Sequence, residues 1–110
     1  MGKPEGIIER YLVKRCEEND FLCRKYVSPG RRGVPDRVVF ARGHVVYIEL
    51  KSATGVLSPL QKREITRMIN HGADVRVYAS KSEIDDFIEE ALSWPNKKYK
   101  IPEHLKGLLA

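Results

Sequence analysis

Asp36, Glu49 and Lys51 are the residues whose types and spacing best fit chemistry. In an extended strand, residues two apart share a face, so Glu49 and Lys51 point the same way and Leu50 the other. Two apolar, β-branched runs, Arg37 to Ala41 and Val45 to Leu50, flank Arg42-Gly43, the pattern of a β-hairpin. A turn symmetric about Arg42-Gly43 pairs residues whose numbers sum to 85: Val45 with Phe40, Tyr47 with Val38, and Glu49 with Asp36. Two carboxylates then face each other roughly 5 Å apart, with an ammonium beside them. A one-residue bulge would break this register.

Facing carboxylates repel, and burying them is costly unless a cation intervenes. Hard oxygen donors favour Mg2+ or Mn2+ over zinc, and magnesium keeps several waters, leaving positions for a phosphate oxygen and a nucleophilic water. Lys51 would orient or deprotonate that water, or stabilise charge building on the phosphate. Phosphodiester hydrolysis needs such a set. The same spacing also fits a plain cross-strand ion pair, Asp36 or Glu49 with Lys51 or Arg37, on a solvated face.

The elements that must hold these residues are readable from periodicity. Ile7, Ile8, Tyr11, Leu12 and Cys16 recur at helical spacing, predicting an amphipathic helix from Glu5 to Asn19. Phe21 to Val27 reads as a short strand that stops at the basic turn Ser28-Pro29-Gly30-Arg31-Arg32-Gly33. After the hairpin, Ser58-Pro59-Leu60-Gln61 combines an N-cap serine, a first-turn proline and a capping box, opening a helix that runs to about His71 before Gly72. Val75, Val77 and Ala79 alternate as a strand. Ile84, Phe87, Ile88, Ala91 and Leu92 then form a regular helical stripe behind Ser82. A strand-helix-strand passage between residues 45 and 79 implies a right-handed crossover that sets the fourth strand parallel to the third. The predicted fold class is α/β, one domain of order α-β-β-β-α-β-α with a mixed central sheet flanked by helices. Residues 1–92 form the domain; residues 93–110 form a basic tail with a short helix from Pro102 to Leu109.

At 110 residues the chain suits one core. Its apolar residues are dispersed, with no run near the roughly 18 that a membrane span needs, and Met1 to Gly6 lack a secretory stretch. The expected location is the cytoplasm, the reducing compartment where the chain is made. Cys16 and Cys23 have neither Cys-x-x-Cys spacing nor paired histidines, so they read as ordinary thiols, not a zinc site. His44, His71 and His104 stand singly and take no catalytic role. A net charge of +5 suggests a polyanionic partner.

The combination Gly33-Val34-Pro35-Asp36-Arg37, Val45-Val46-Tyr47-Ile48, Glu49-Leu50-Lys51-Ser52 and Leu57-Ser58-Pro59-Leu60-Gln61 resembles the virus-type replication-repair nuclease (VRR-NUC) domain of the PD-(D/E)XK nuclease superfamily. The likeness extends upstream through Ile8-Glu9-Arg10-Tyr11-Leu12 and Lys25, and downstream through Gly72 and Val75 to Val77. The resemblance implies a core of helix, three strands, helix and strand. It makes Asp36 and Glu49 metal ligands, the Leu50 carbonyl a further ligand and Lys51 the catalytic lysine. Glu9 corresponds to a first-helix glutamate that binds metal directly or through water, with Glu5 a rival and a solvated helix residue the plain alternative. Gln61 corresponds to the motif glutamine, although a capping box alone would also place it there.

Arg31 and Arg32 directly precede the catalytic strand and are candidates to grip phosphates, with Lys25, Arg37 and Lys62 or Arg63 extending the basic face. Lys97, Lys98 and Lys100 with Tyr99 are either remote strand contacts or solubilising tail residues. The resemblance further implies an endonuclease leaving a 5′-phosphate and a 3′-hydroxyl, acting on branched or junction DNA as a homodimer. A non-catalytic DNA-binding module on the same scaffold and a basic protein-interaction domain are the competing readings.

Overall fold

The computed structural model describes residues 4–110. Its elements are α1 (Pro4–Glu18), β1 (Leu22–Lys25), β2 (Arg37–Ala41), β3 (His44–Leu50), α2 (Pro59–Asn70), β4 (Asp74–Tyr78), α3 (Lys81–Ser93) and α4 (Glu103–Leu109). The four strands form one sheet in the order β1-β2-β3-β4. β1 and β3 run antiparallel to β2, and β4 runs parallel to β3. This is the predicted mixed α/β architecture.

The hairpin explains the register. Arg42 and Gly43 both adopt positive φ, 51° and 85°, the primed turn whose twist matches its flanking strands. Phe40 then pairs with Val45, Val38 with Tyr47 and Arg37 with Ile48, without a bulge. Continuing one residue past the last pair sets Asp36 opposite Glu49, as the symmetric turn requires.

Strand alternation divides the two faces. Val39, Ala41, Val46, Ile48 and Leu50 pack on one side against Ile8, Leu12 and Cys16 of α1 and Ile84, Phe87, Ile88 and Ala91 of α3. Each fully buried aliphatic or aromatic side chain there contributes about 1.5–3 kcal/mol. Asp36, Val38 and Glu49 take the opposite side by the same alternation. Arg76 ties β4 to α3, with Asp74 at 2.6 Å, Glu90 at 3.0 Å and the Tyr78 hydroxyl at 3.2 Å.

Two boundaries differ from expectation by two residues, the others by at most one. β1 is shorter than Phe21 to Val27 because Phe21 is buried in the core and its amide donates to the Cys16 carbonyl at 2.9 Å, closing α1 behind the positive-φ residue Asp20. The cap of α3 is Ser80, so Ser82 lies inside the first turn. Ser80 Oγ accepts from the Glu83 amide while Glu83 Oε1 accepts from the Ala79 amide. Asp85, three residues after Ser82, is instead held by Tyr11 and Arg15.

Beyond α3, Trp94 stacks on His44 at 4.5 Å, and the Lys97 amide donates to the Arg42 carbonyl. A Cβ on Gly43 would stand 2.7 Å from Lys97 Cβ. Residues 94–97 therefore lie against the hairpin tip, remote from Asp36 and Glu49 at the hairpin's other end.

Candidate active site

Asp36 is held from two sides just before β2. Its carbonyl accepts from the Tyr26 amide at 2.9 Å, and its Oδ2 accepts from the Leu50 amide at 2.9 Å. The preceding Pro35 is fully buried. Gly33, at φ 85°, approaches α2 so closely that a Cβ would stand 2.5 Å from the Leu60 carbonyl oxygen. Only glycine permits that contact. It locks the loop before Asp36 onto the first turn of α2.

α2 begins with the predicted capping box: Ser58 Oγ accepts from the Gln61 amide at 3.1 Å, and Gln61 Oε1 accepts from the Ser58 amide at 2.9 Å. The amide group has a donor end left over. Gln61 Nε2 donates to Glu49 Oε2 at 2.9 Å. One side chain thus caps α2 and touches the buried Glu49 carboxylate.

Glu49 is 2% exposed. Its Oε2 also meets Lys51 Nζ at 3.3 Å, whereas Oε1 is buried without a hydrogen-bond partner. Burial pushes its pKa up to about 7, and the facing Asp36 charge adds to the rise, against the pull of Lys51. Asp36 is raised in the same direction, chiefly by burial, with the Leu50 amide opposing. Both carboxylates therefore resist ionisation as they stand.

An added cation would relieve both groups. The orphaned Glu49 oxygen and an all-oxygen donor set fit a hard divalent ion, whose remaining positions water can fill. Among the described residues no three His, Cys, Asp or Glu side chains converge as a ready cage. Asp36 and Glu49 are accordingly the two carboxylates of the candidate site.

The sequence profile of the VRR-NUC domain matches residues 5–82. The chain belongs to the VRR-NUC family of nucleases. It is also similar to "Putative nuclease p44" of Acyrthosiphon pisum secondary endosymbiont phage 1, at 39% identity over 77 residues, which is 69% of this chain and 83% of that protein. A solved structure described as a VRR-NUC domain superposes with a TM-score of 0.74 at 34% identity, covering 80% of this chain and 97% of the other.

Within this VRR-NUC domain, Asp36, Glu49, Lys51 and Gln61 come together as expected. Glu9 does not join them as a third convergent carboxylate. Its Oε2 is bound by Arg37 Nε at 2.7 Å, because Arg37, one residue on from Asp36, points to the α1 side of the sheet. Glu9 still acts electrostatically, raising both Asp36 and Glu49. Leu50, expected to contribute its carbonyl, fixes Asp36 through its amide.

Lys25 and Lys62 are exposed at β1 and α2, and the Lys25 charge reaches Asp36. Arg31 pairs with Glu64 of α2 at 3.5 Å. Arg31 and Arg32 line a cleft together with Arg63 and Arg67. Arg67 went unnoticed in the sequence, although its i, i+4 spacing from Arg63 was a usable signal once α2 was recognised.

Proposed function

We propose that the protein is a metal-dependent, structure-selective DNA endonuclease that hydrolyses phosphodiester bonds with Mg2+ or Mn2+. The observation that carries this reading is the Glu49 carboxylate, nearly sealed from water, facing Asp36, with one oxygen unpartnered. Such an arrangement is stable only when a cation or a proton joins it. Asp36 and Glu49 would hold the cation, with the Leu50 carbonyl as a further donor. When bound, a divalent ion polarises a phosphate oxygen and lowers the pKa of water, so that hydrolysis runs near neutral pH.

Lys51 orients the attacking water or accepts its proton, and its charge offsets that gathering on the phosphate. Gln61 keeps the Glu49 carboxylate in one orientation. Glu9, engaged by Arg37, acts through water in preference to direct ligation. Lys25, Arg31, Arg32 and Lys62 are the proposed backbone contacts; Arg37, bound by Glu9 on the α1 side of the sheet, is not among them. Cleavage leaves a 5′-phosphate and a 3′-hydroxyl. The preferred substrate is branched DNA of the Holliday-junction type, cut by a homodimer in the cytoplasm of a bacterial or phage-infected cell. The likeness to a phage protein named as a nuclease supports the setting.

Labelled four-way junction, flap, duplex and single-stranded DNA, each with magnesium, manganese or chelator, test the reading beside the Lys51→Ala protein. Metal-dependent cutting that the variant loses is the expected result. Binding without cutting in every condition would replace this function with a non-catalytic DNA-binding one.

A further inference from the structure

A cleft of about 380 Å3 adjoins the active site, between the loop carrying Arg31 and Arg32 and the α2 face carrying Leu60, Arg63, Glu64 and Arg67. Four arginines and one glutamate line it. Glu64, whose side chain is 12% exposed, holds Arg31 at 3.5 Å and so fixes the loop arginine over the helix. Among the described residues, Arg32, Arg63 and Arg67 make no ion pair. Like charges lining one cleft favour an anionic occupant, and planar guanidinium forks match phosphate oxygens.

The cleft keeps a fixed relation to the reacting centre. Leu60 lines it, and the next residue, Gln61, donates to Glu49. The Gly33 contact with the Leu60 carbonyl holds the loop wall in register with the helix wall. From Gln61 to Arg67 is six residues, about 9 Å along the helix axis. A duplex laid along α2 would cover that span in two or three steps of about 3.4 Å each.

We propose that Arg31, Arg32, Arg63 and Arg67 form a seat for internal phosphodiester groups of the substrate, two or three nucleotides from the bond that is cut. The inference rests on the nuclease reading and deepens it. It assigns Arg63 and Arg67 to binding, and it gives the site a demand for DNA continuing past the cleavage point. The seat recognises charge and spacing, not base sequence.

Anisotropy of labelled junction and duplex DNA in chelator, over a salt series, reads binding without cleavage. The R63Q/R67Q protein is compared with K81Q/K106Q, which loses the same charge from exposed positions on α3 and α4. R63Q/R67Q should weaken binding about tenfold and lower the slope of log affinity against log salt by about 2, as expected for two phosphate contacts. K81Q/K106Q should change affinity by less than about twofold, since a scattered surface charge outside the footprint makes no phosphate contact. DNA made neutral by methylphosphonates at the second and third positions from the cut should lose the same factor with the unsubstituted protein and nothing further with R63Q/R67Q. Equal losses in the two variants, or methylphosphonate losses that add in full, would overturn the seat. Cleavage by the unsubstituted protein with manganese is scored separately: its absence would retire the nuclease reading, while the salt slopes would still decide the seat.

Discussion

Glu49 keeps its carboxyl where water scarcely reaches, opposite another acid, and this ties folding to pH. Its folded pKa of about 7 stands above the ordinary 4.5, so between those values the folded chain retains a proton that the unfolded chain has released. The resulting stabilisation is full below pH 4.5 and is lost as pH rises through 7, on the order of 3 kcal/mol for this group. Asp36, raised too, adds in the same direction. Urea unfolding without divalent metal should therefore show stability falling across that window. Glu49→Gln should flatten most of the fall, and saturating Mn2+ should do likewise by stabilising the ionised carboxylate. An unchanged slope in Glu49→Gln would remove Glu49 as the source. Lys51 opposes the rise from 3.3 Å away. Lys51→Ala should move the fall to higher pH, lower cleavage by at least about 100-fold, and leave the fold intact by circular dichroism.

At the scale of elements, the site depends on how the loop before β2 seats on α2. Gly33→Ala adds a Cβ 2.5 Å from a backbone oxygen at a φ of 85°, strain that should cost about 1–3 kcal/mol or more in unfolding free energy. Because the displaced wall also carries Asp36 and Arg31, Mn2+ should stabilise that variant less than it stabilises the unsubstituted chain. Gln61→Glu separates two roles of one side chain. Glutamate still completes the capping box, but it sets a third carboxylate where Nε2 now donates to Glu49. The variant should keep its helicity and lose about 1–3 kcal/mol at neutral pH, recovered on acidification or with metal. Local rules made much of this legible in advance. The Ser58 capping box, the primed turn at Arg42-Gly43 and the Asp36-Glu49 register all follow from neighbours in sequence. What escaped depends on contacts between distant segments. The Glu9 pairing with Arg37 spans 28 residues. The Arg31 to Glu64 bridge and the part of Arg67 in the cleft likewise exist only once loop and helix have met.

At the scale of the molecule, the candidate site of Asp36 and Glu49 serves a body of 48 × 31 × 27 Å. Resolving a four-way junction takes two cuts, on strands related by the junction's own two-fold symmetry. A single copy must dissociate, or turn, between them; two copies about a shared two-fold axis present both sites together. For the proposed junction substrate the expected solution species is thus a dimer of twice the 12.6 kDa chain, and light scattering on and off junction DNA measures it. A mixing experiment goes further. Unsubstituted and Lys51→Ala chains, co-folded in equal amounts, should yield mixed pairs with one working site, so a cruciform plasmid should accumulate as nicked circles beyond the level that active pairs alone produce. Linear product falling only in proportion to the active fraction, together with a monomer mass on DNA, would mean that each chain cuts independently and that symmetry plays no part in the reaction.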